Sequence, residues 1–145
     1  DCMLAAHVMP IEIGFRHCDP AGIVFYPRYA EMLNDTVEHW FKHGLGAGFA
    51  FLHDERGIGL PTVNLQMDFR APSRLGDELA AVLRLEGIGR TSLKVAIELR
   101  GRDPEGPVRV RARLVLVFID MRTMRPIAIP AEVRAAMVAG KYWVD

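Results

Sequence analysis

Residues 17–29 read His17-Cys18-Asp19-Pro20-Ala21-Gly22-Ile23-Val24-Phe25-Tyr26-Pro27-Arg28-Tyr29. Pro20 fixes φ and Gly22 permits a positive φ, so the backbone must turn directly after Asp19. Pro27 suits the first position of a helix, because its missing N–H group would have no intrahelical partner there. The free N–H groups and the positive dipole end of that helix face the turn. The stretch therefore predicts one carboxylate on a stiff bend beside a helix N-terminus.

Two roles for Asp19 follow from this arrangement. A carboxylate held in this way could act next to an oxyanion that develops during acyl transfer. An aspartate before a turn is also a common cap, and the stretch alone favours that structural role. A nucleophilic Cys18 would need a partner base, and its neighbour His17 points the opposite way in an extended chain, so cysteine chemistry is not favoured.

Composition narrows the class of protein. The 145 residues fit a single domain, which we predict to span residues 1–145, with a core that needs neither disulfides nor metals. Lys plus Arg and Asp plus Glu both number 18, so nothing indicates a nucleic-acid partner. The longest apolar run, 114–119, is too short to cross a bilayer, and no signal pattern opens the chain. We therefore expect a cytoplasmic protein without a membrane or metal partner.

Hydrophobic periodicity predicts the elements. Apolar residues at three- and four-residue steps predict one long helix over 28–43, and a shorter helical piece covers Phe49 to Arg56. Alternation predicts strands, and Glu132 to Ala139 fits a final helix. The predicted strands are Val8 to Arg16, 62–70, Glu78 to Glu86, 92–100 and Val108 to Asp120. The sequence thus predicts an α+β fold in which one antiparallel sheet wraps around one helix.

Three arginines lie on one face of the longest predicted strand. Arg109, Arg111 and Arg113 alternate with apolar residues before that face becomes apolar at Val115. Such a row is typical of a solvated sheet face, and we interpret it in that way.

The stretch from His17 to Tyr29 strongly resembles the signature of hotdog-fold thioesterases of the 4-hydroxybenzoyl-CoA thioesterase type. The Asp-Pro-Ala-Gly core is its specific part, and the resemblance extends over about residues 10–134. It implies a hotdog fold, in which the long helix is wrapped by the sheet. It further implies that two subunits join their sheets edge to edge, that pairs form tetramers, and that active sites lie at the dimer interface.

The resemblance also reverses the preference for Asp19, which it makes the catalytic carboxylate. Asp19 would act as a nucleophile that forms a mixed anhydride or as a general base for water, and the sequence does not separate these roles. Backbone N–H groups near Tyr26 would hold the oxyanion. Phe25, Tyr26 and Tyr29 are candidates to line an acyl pocket, although aromatic residues at a helix start are also common core residues.

Coenzyme A carries phosphates, and in the family the turn between the second and third strands contacts its nucleotide portion. Here that turn supplies Arg90, Thr91 and Ser92, and Arg125 is a further candidate. Either arginine could instead be a solvated surface residue. Coenzyme A would be part of the substrate, and no separate cofactor is implied.

Other positions bear on the acyl group. The aryl-specific enzyme of this type has an acidic residue where Asn34 stands, and the second strand differs around Thr62 and Asn64, so these three are candidate substrate contacts. Relatives that cleave short aliphatic esters usually have His where Pro27 stands. We therefore expect an acyl-CoA thioesterase that favours benzoyl-like esters. The alternatives are a short- or medium-chain aliphatic acyl-CoA thioesterase and a non-catalytic module that binds acyl-CoA or an acyl carrier.

Overall fold

The computed structural model describes residues 4–48 and 51–145, with the side chain of Phe51 left out. Its helices are α1 (Pro27–His39), which continues into a π-helical turn (Trp40–Gly44), and α2 (Ala131–Ala139). Short turns cover Phe15–His17 and Phe51–Glu55. The strands are β1 (His7–Glu12), β2 (Ile58–Gly59), β3 (Thr62–Phe69), β4 (Glu78–Ile88), β5 (Ser92–Gly101), β6 (Val108–Val117), β7 (Ile119–Asp120) and β8 (Arg125–Pro126).

The main sheet is antiparallel and has the order β1-β4-β5-β6-β3. The strand β3 therefore crosses to the far side of β6 instead of pairing with its successor β4, and β1 and β3 form the two edges. A small second sheet joins β2, β7 and β8. This order decides which ends of the strands the candidate site residues share.

The helix α1 covers one face of this sheet. Its buried side chains, among them Tyr29, Met32, Leu33 and Val37, form one cluster with the inward side chains of β4, β5 and β6. Trp40 extends this apolar face into the π-helical turn and is fully buried. The predicted α+β architecture, a sheet wrapped around one long helix, is confirmed.

Several predicted boundaries differ from the structure. The first strand ends at Glu12 rather than Arg16, because its partner β4 begins opposite, at Glu78. The predicted strand Val108 to Asp120 breaks at Phe118, whose N–H donates to Thr91 and whose carbonyl accepts from Ile127. The predicted helical piece Phe49 to Arg56 is a π-helical turn over Phe51–Glu55, and residues 49 and 50 lie outside the described residues.

A histidine cluster joins β1 to the end of α1 and predicts acid sensitivity. His7 Nε2 lies 2.7 Å from His39 Nδ1, and burial, followed by the charges of His39 and His43, lowers the pKa of His7 to about 4. As the pH falls below about 6.5, the side chain of His7 is protonated in the unfolded chain, whereas in the folded protein it stays neutral down to about pH 4. The free energy of unfolding therefore falls between about pH 6.5 and pH 4. We expect the free energy of unfolding to fall by about 1–2 kcal/mol over this pH range, which is less than the full pKa shift implies because solvent screens the charge.

Denaturant unfolding at pH 7 and pH 4.5 measures this loss. His7→Gln should flatten the dependence, whereas His53→Gln, at an exposed histidine, should leave it unchanged. If the free energy of unfolding falls equally between pH 7 and pH 4.5 in His7→Gln and in the unaltered protein, His7 is not the cause of the acid sensitivity.

Candidate active site

Asp19 lies at one end of a short hairpin. Cys18 pairs with Val24, the N–H of Asp19 donates to the carbonyl of Ile23 (2.9 Å), and the N–H of Gly22 donates to the carbonyl of Asp19 (2.9 Å). Gly22 has φ +77°, a left-handed conformation that side-chain-bearing residues rarely adopt. The stiff bend predicted from Pro20 and Gly22 is therefore present.

The carboxylate of Asp19 uses one oxygen for the turn. Its Oδ1 accepts hydrogen bonds from the N–H groups of Ala21 (2.9 Å) and Ile23 (3.4 Å). Within residues 4–48 and 51–145, its Oδ2 has no hydrogen-bond partner. Capping and chemistry are thus compatible, because each can use a different oxygen.

A second Asp-Pro-X-Gly turn in the chain provides an internal comparison. Asp103 Oδ1 accepts from the N–H of Glu105 (2.9 Å), and the N–H of Gly106 donates to the carbonyl of Asp103 (2.7 Å). These bonds repeat those of Asp19 to Ala21 and Gly22. The turn motif alone is therefore structural, and what distinguishes Asp19 is the helix that follows it.

The start of α1 presents one free donor. The N–H groups of Arg28 and Tyr29 donate to the carbonyls of Phe25 and Tyr26, and the N–H of Phe25 donates to the carbonyl of His17. The N–H of Tyr26 has no partner among the described residues, and Pro27 has no N–H to offer. The first turn of α1 also holds no acidic side chain. An anion at this helix start would thus meet an unpaired N–H group and the positive end of the helix dipole.

His17 is a buried polar residue that the sequence analysis did not place in the site. Its Nδ1 accepts the N–H of Gly14 (3.0 Å), so its neutral ring carries the proton on Nε2. Burial, followed by the charge of Arg16, lowers the pKa of His17. The imidazole is therefore neutral at pH 7, next to the hairpin that carries Asp19.

Asn34 is exposed and lines an open cavity of about 780 Å³ on the outer side of α1. The other residues that line this cavity are Arg16, His17, Arg28, Ala30, Glu31, Met32 and Asp35. Asp19 is not among them. This cavity therefore does not bring Asn34 and Asp19 together.

The predicted aromatic residues differ in exposure. Phe25 and Tyr26 are exposed and meet edge to face, with ring centroids 5.5 Å apart. Tyr29 is buried and contacts Phe69 at the end of β3, at 5.6 Å between ring centroids. Tyr29 therefore belongs to the core and joins the helix start to the edge strand, while Phe25 and Tyr26 remain free to contact a ligand.

Thr62 and Asn64 were predicted together, and the structure separates them. Thr62 pairs with buried Leu116 and Asn64 with Val115, so Val63 forms a bulge between them. Residues two apart on a strand normally share a face, and a bulge breaks that alternation. Thr62 therefore lies on the face that packs against α1 and Asn64 on the opposite face, so the two do not line one pocket in this chain.

The residues predicted to bind coenzyme A lie together at the end of the sheet where β4 turns into β5. The carbonyl of Arg90 accepts from the N–H of Ile129 (3.0 Å) and that of Thr91 accepts from the N–H of Phe118 (2.9 Å), which places the turn next to the tail that carries Arg125. Ser92 begins β5. Within the described part of the chain, neither Arg90 nor Arg125 has an ion-pair partner.

The arginine row on β6 is partly solvated, since the side chains of Arg109, Arg111 and Arg113 are 25%, 43% and 67% exposed. The three arginines do share the outer face, but each forms an ion pair: Arg109 with Asp77, Arg111 with Glu98, and Arg113 with Glu86. Periodicity along one strand could not reveal these partners, because they lie on other elements.

Two further observations concern metal binding and membrane spans. Across the described ranges, no three His, Cys, Asp or Glu side chains are arranged to hold a metal ion. No helix there is long and apolar enough to cross a bilayer.

Comparison with known proteins places the chain in a family. The family model of the thioesterase-like superfamily matches residues 13–137. The 4-hydroxybenzoyl-CoA thioesterase of Pseudomonas sp. (strain CBS-3) is 28% identical over 135 residues, which cover 90% of this chain and 96% of the relative. Its three-dimensional structure superposes with a TM-score of 0.80, covering 90% of this chain and 98% of that one.

Two further relatives differ in their acyl groups. The long-chain acyl-CoA thioesterase FadM of Escherichia coli (strain K12) is 27% identical, covering 86% of this chain and 91% of the relative. The structure of the gentisyl-coenzyme A thioesterase BH1999 is 25% identical, with a TM-score of 0.78, and covers 91% of this chain and 99% of that one. The chain belongs to the thioesterase-like superfamily and has the hotdog fold, as its sequence signature predicted.

Proposed function

We propose that this protein hydrolyses acyl-CoA thioesters to a free acid and coenzyme A, with Asp19 as the catalytic carboxylate. One observation carries the proposal: a carboxylate with one oxygen that no described residue contacts lies on a hairpin that leads into a helix start whose Tyr26 N–H group is unpaired among the same residues. The family and the relatives that act on CoA esters support it.

Asp19 has two chemical routes in this reaction. As a nucleophile, Oδ2 attacks the thioester carbon, the C–S bond breaks, coenzyme A leaves as its thiolate, and water then hydrolyses the mixed anhydride. As a general base, the same oxygen takes a proton from the attacking water, the C–S bond breaks, coenzyme A leaves as its thiolate and takes up the proton, and the acid forms without a covalent intermediate. In both routes the carbonyl oxygen becomes negative, and the N–H of Tyr26 and the helix dipole would stabilise it.

The geometry of the sheet supports a site shared by two copies. Asp19 lies near the Phe69 end of β3, because its hairpin contacts the loop that follows this strand. Thr62 lies at the other end of β3, about 23 Å along the strand from Phe69 at about 3.3 Å per residue. The Arg90 turn is also at that distant end, since Ser92 pairs with Val117 and Thr62 with Leu116. Antiparallel pairing of two β3 edges would place the coenzyme A residues of one copy near Asp19 of the other.

Exposed apolar side chains on β3 support the same arrangement. Val63 is 58% exposed, Leu65 39% and Phe69 51%, on a strand with an unpaired edge. Such an edge invites pairing with another strand unless it is protected. We therefore propose a homodimer joined through β3, which could pair further into a tetramer. A cytoplasmic location remains a prediction.

An aryl acyl group fits the exposed surface at the helix start. Phe25 and Tyr26 offer aromatic faces there, and two relatives act on 4-hydroxybenzoyl and gentisyl esters. Aliphatic acyl-CoA esters are the alternative substrates, because one relative is a long-chain acyl-CoA thioesterase. Asn34 is neutral where the aryl-specific enzyme is acidic, so we expect little preference for a 4-hydroxyl group.

A panel of CoA thioesters assayed for free thiol tests this function. Benzoyl-CoA and 4-hydroxybenzoyl-CoA should be cleaved with kcat/KM values within about tenfold of each other and above those of butyryl- and palmitoyl-CoA. A higher kcat/KM for the aliphatic esters would overturn the aryl preference and leave the thioesterase activity standing.

Arg90→Ala and Arg125→Ala should weaken binding of the nucleotide portion. Each guanidinium is exposed without an ion pair in the described ranges, as a phosphate ligand would be. We expect KM for benzoyl-CoA to rise about fivefold with kcat nearly unchanged, because the contact is the same in ground and transition states. The KM for benzoyl-pantetheine, which lacks the nucleotide, should not change.

Arg84→Ala is the matched control, since Arg84 is an exposed arginine on β4 away from the turn. Equal KM changes for the two esters, or the same change in Arg84→Ala, would exclude the phosphate contact.

A non-catalytic module that binds acyl-CoA is the second candidate. The hydrogen bonds that Asp19 Oδ1 accepts from the N–H groups of Ala21 and Ile23 favour a binding module, because they give Asp19 a structural role of the kind that Asp103 also has. Calorimetric binding of benzoyl-CoA without thiol release would support this candidate.

A further inference from the structure

The hairpin that carries Asp19 is held mainly by a single loop, which follows β3. The N–H of Val24 donates to the carbonyl of Ser73 (2.9 Å), Ile23 pairs with Arg74, and the N–H of Leu75 donates to the carbonyl of Gly22 (3.0 Å). The position of Asp19 therefore depends on residues 73–75.

This loop is in turn closed by Asp77. Asp77 Oδ2 accepts the N–H of Arg74 (2.9 Å), and the N–H of Asp77 donates to the carbonyl of Arg74 (3.0 Å). The hydrogen bond from Arg74, followed by that from Arg109, lowers the pKa of Asp77. The carboxylate of Asp77 is thus ionised at neutral pH and can form an ion pair with an arginine side chain.

Arg109 connects this loop to the rigid part of the sheet. From β6, its Nη1 donates to Asp77 Oδ2 (2.6 Å) and to Oγ of fully buried Ser73 (3.3 Å). Its carbonyl accepts the N–H groups of Arg70 (2.8 Å) and Ala71 (3.1 Å). One residue therefore holds the beginning, the middle and the end of the loop.

We propose that Arg109 is a positioning residue that fixes Asp19 through the loop 70–77. The inference rests on the proposed function of Asp19, and it assigns to an arginine on the opposite side of the sheet from α1 a role in the rate of the reaction. The ion pair is half-buried, with the Arg109 and Asp77 side chains 25% and 31% exposed, so solvent screens it only in part. Displacing a catalytic group by about 1 Å can cost about a hundredfold in rate.

Arg109→Gln tests this role, with Arg111→Gln as the matched control. Arg111 lies two residues along the same strand and face and also forms an ion pair, but with Glu98 of the sheet and not with the loop. We expect kcat of Arg109→Gln to fall about tenfold or more with KM within about twofold, and Arg111→Gln to keep its kcat. Arg109→Lys, which keeps one charged donor, should recover part of the loss.

The reactivity of Cys18 gives a readout that needs no turnover. Cys18 is half-buried in the hairpin next to Asp19, so a loosened hairpin should expose its thiol. In a Cys2→Ser background, Arg109→Gln should speed labelling of Cys18 by a thiol reagent several-fold, while Arg111→Gln should not. Should Arg109→Gln fail to fold, Asp77→Asn and Arg109→Lys carry the same test.

Unchanged kcat and unchanged Cys18 labelling in folded Arg109 variants would overturn the inference. Failure of the proposed function is distinguishable, because turnover would then be absent in the unaltered protein, or kept in full by Asp19→Asn, while Cys18 labelling would still report the hairpin.

Discussion

Asp19→Asn should remove nearly all thioester hydrolysis while the protein stays folded. Asparagine keeps Oδ1 as an acceptor for the N–H groups of Ala21 and Ile23, so the hairpin is preserved. It loses the charge and basicity that either a nucleophile or a general base needs. We expect kcat for benzoyl-CoA to fall about a thousandfold or more, measured by free-thiol release, with the free energy of unfolding within about 0.5 kcal/mol.

Asp103→Asn is the control for this experiment. Asp103 makes the same turn bonds in the other Asp-Pro-X-Gly sequence, without a helix start after it. Its substitution should leave kcat unchanged. Comparable turnover in both variants would mean that Asp19 is a turn residue only.

Leu65→Asp should abolish both dimer formation and activity. Leu65 is 39% exposed on the edge strand β3, where a charge opposes pairing with a second copy. Because the coenzyme A residues lie at the far end of the sheet from Asp19, a monomer cannot assemble the proposed site. Sedimentation should show a monomer, and kcat/KM should fall at least a hundredfold.

Val8→Asp provides the comparison at the other edge. Val8 is also 39% exposed, but it lies on β1. This variant should remain dimeric and active. A fully active monomer of Leu65→Asp would contradict the shared site, and a monomer of Val8→Asp would place the interface at the other edge.

Local chemistry made the first half of the site predictable. Pro20 and Gly22 dictate the bend, Pro27 marks the helix start, and the alternation of β3 to β6 is strong, so the fold and the position of Asp19 follow from neighbouring residues. The role of Asp19 did not follow, because the turn of Asp103 has the same Asp-Pro-X-Gly pattern and repeats the bonds to the third and fourth residues of the turn. The helix after the turn and the family signature make the difference.

Contacts between distant parts of the chain were not predictable. The bulge at Val63, which separates Thr62 from Asn64, depends on how β3 registers against β6. The ion pair of Arg109 with Asp77 joins residues 32 positions apart, and a periodic pattern gives no information on such a pair. The separation of Asp19 from Arg90 likewise follows from the strand order, which places the proposed catalytic residue and the proposed coenzyme A residues at opposite ends of the sheet.

The most direct measurement of the central claim is free coenzyme A released from benzoyl-CoA per mole of protein, alongside calorimetric binding of the same ester. We expect many turnovers per molecule of protein, with thiol release that is lost in Asp19→Asn and kept in Asp103→Asn. Binding of the ester without release of thiol, there and across the aliphatic esters, would contradict it and identify the protein as a binding module.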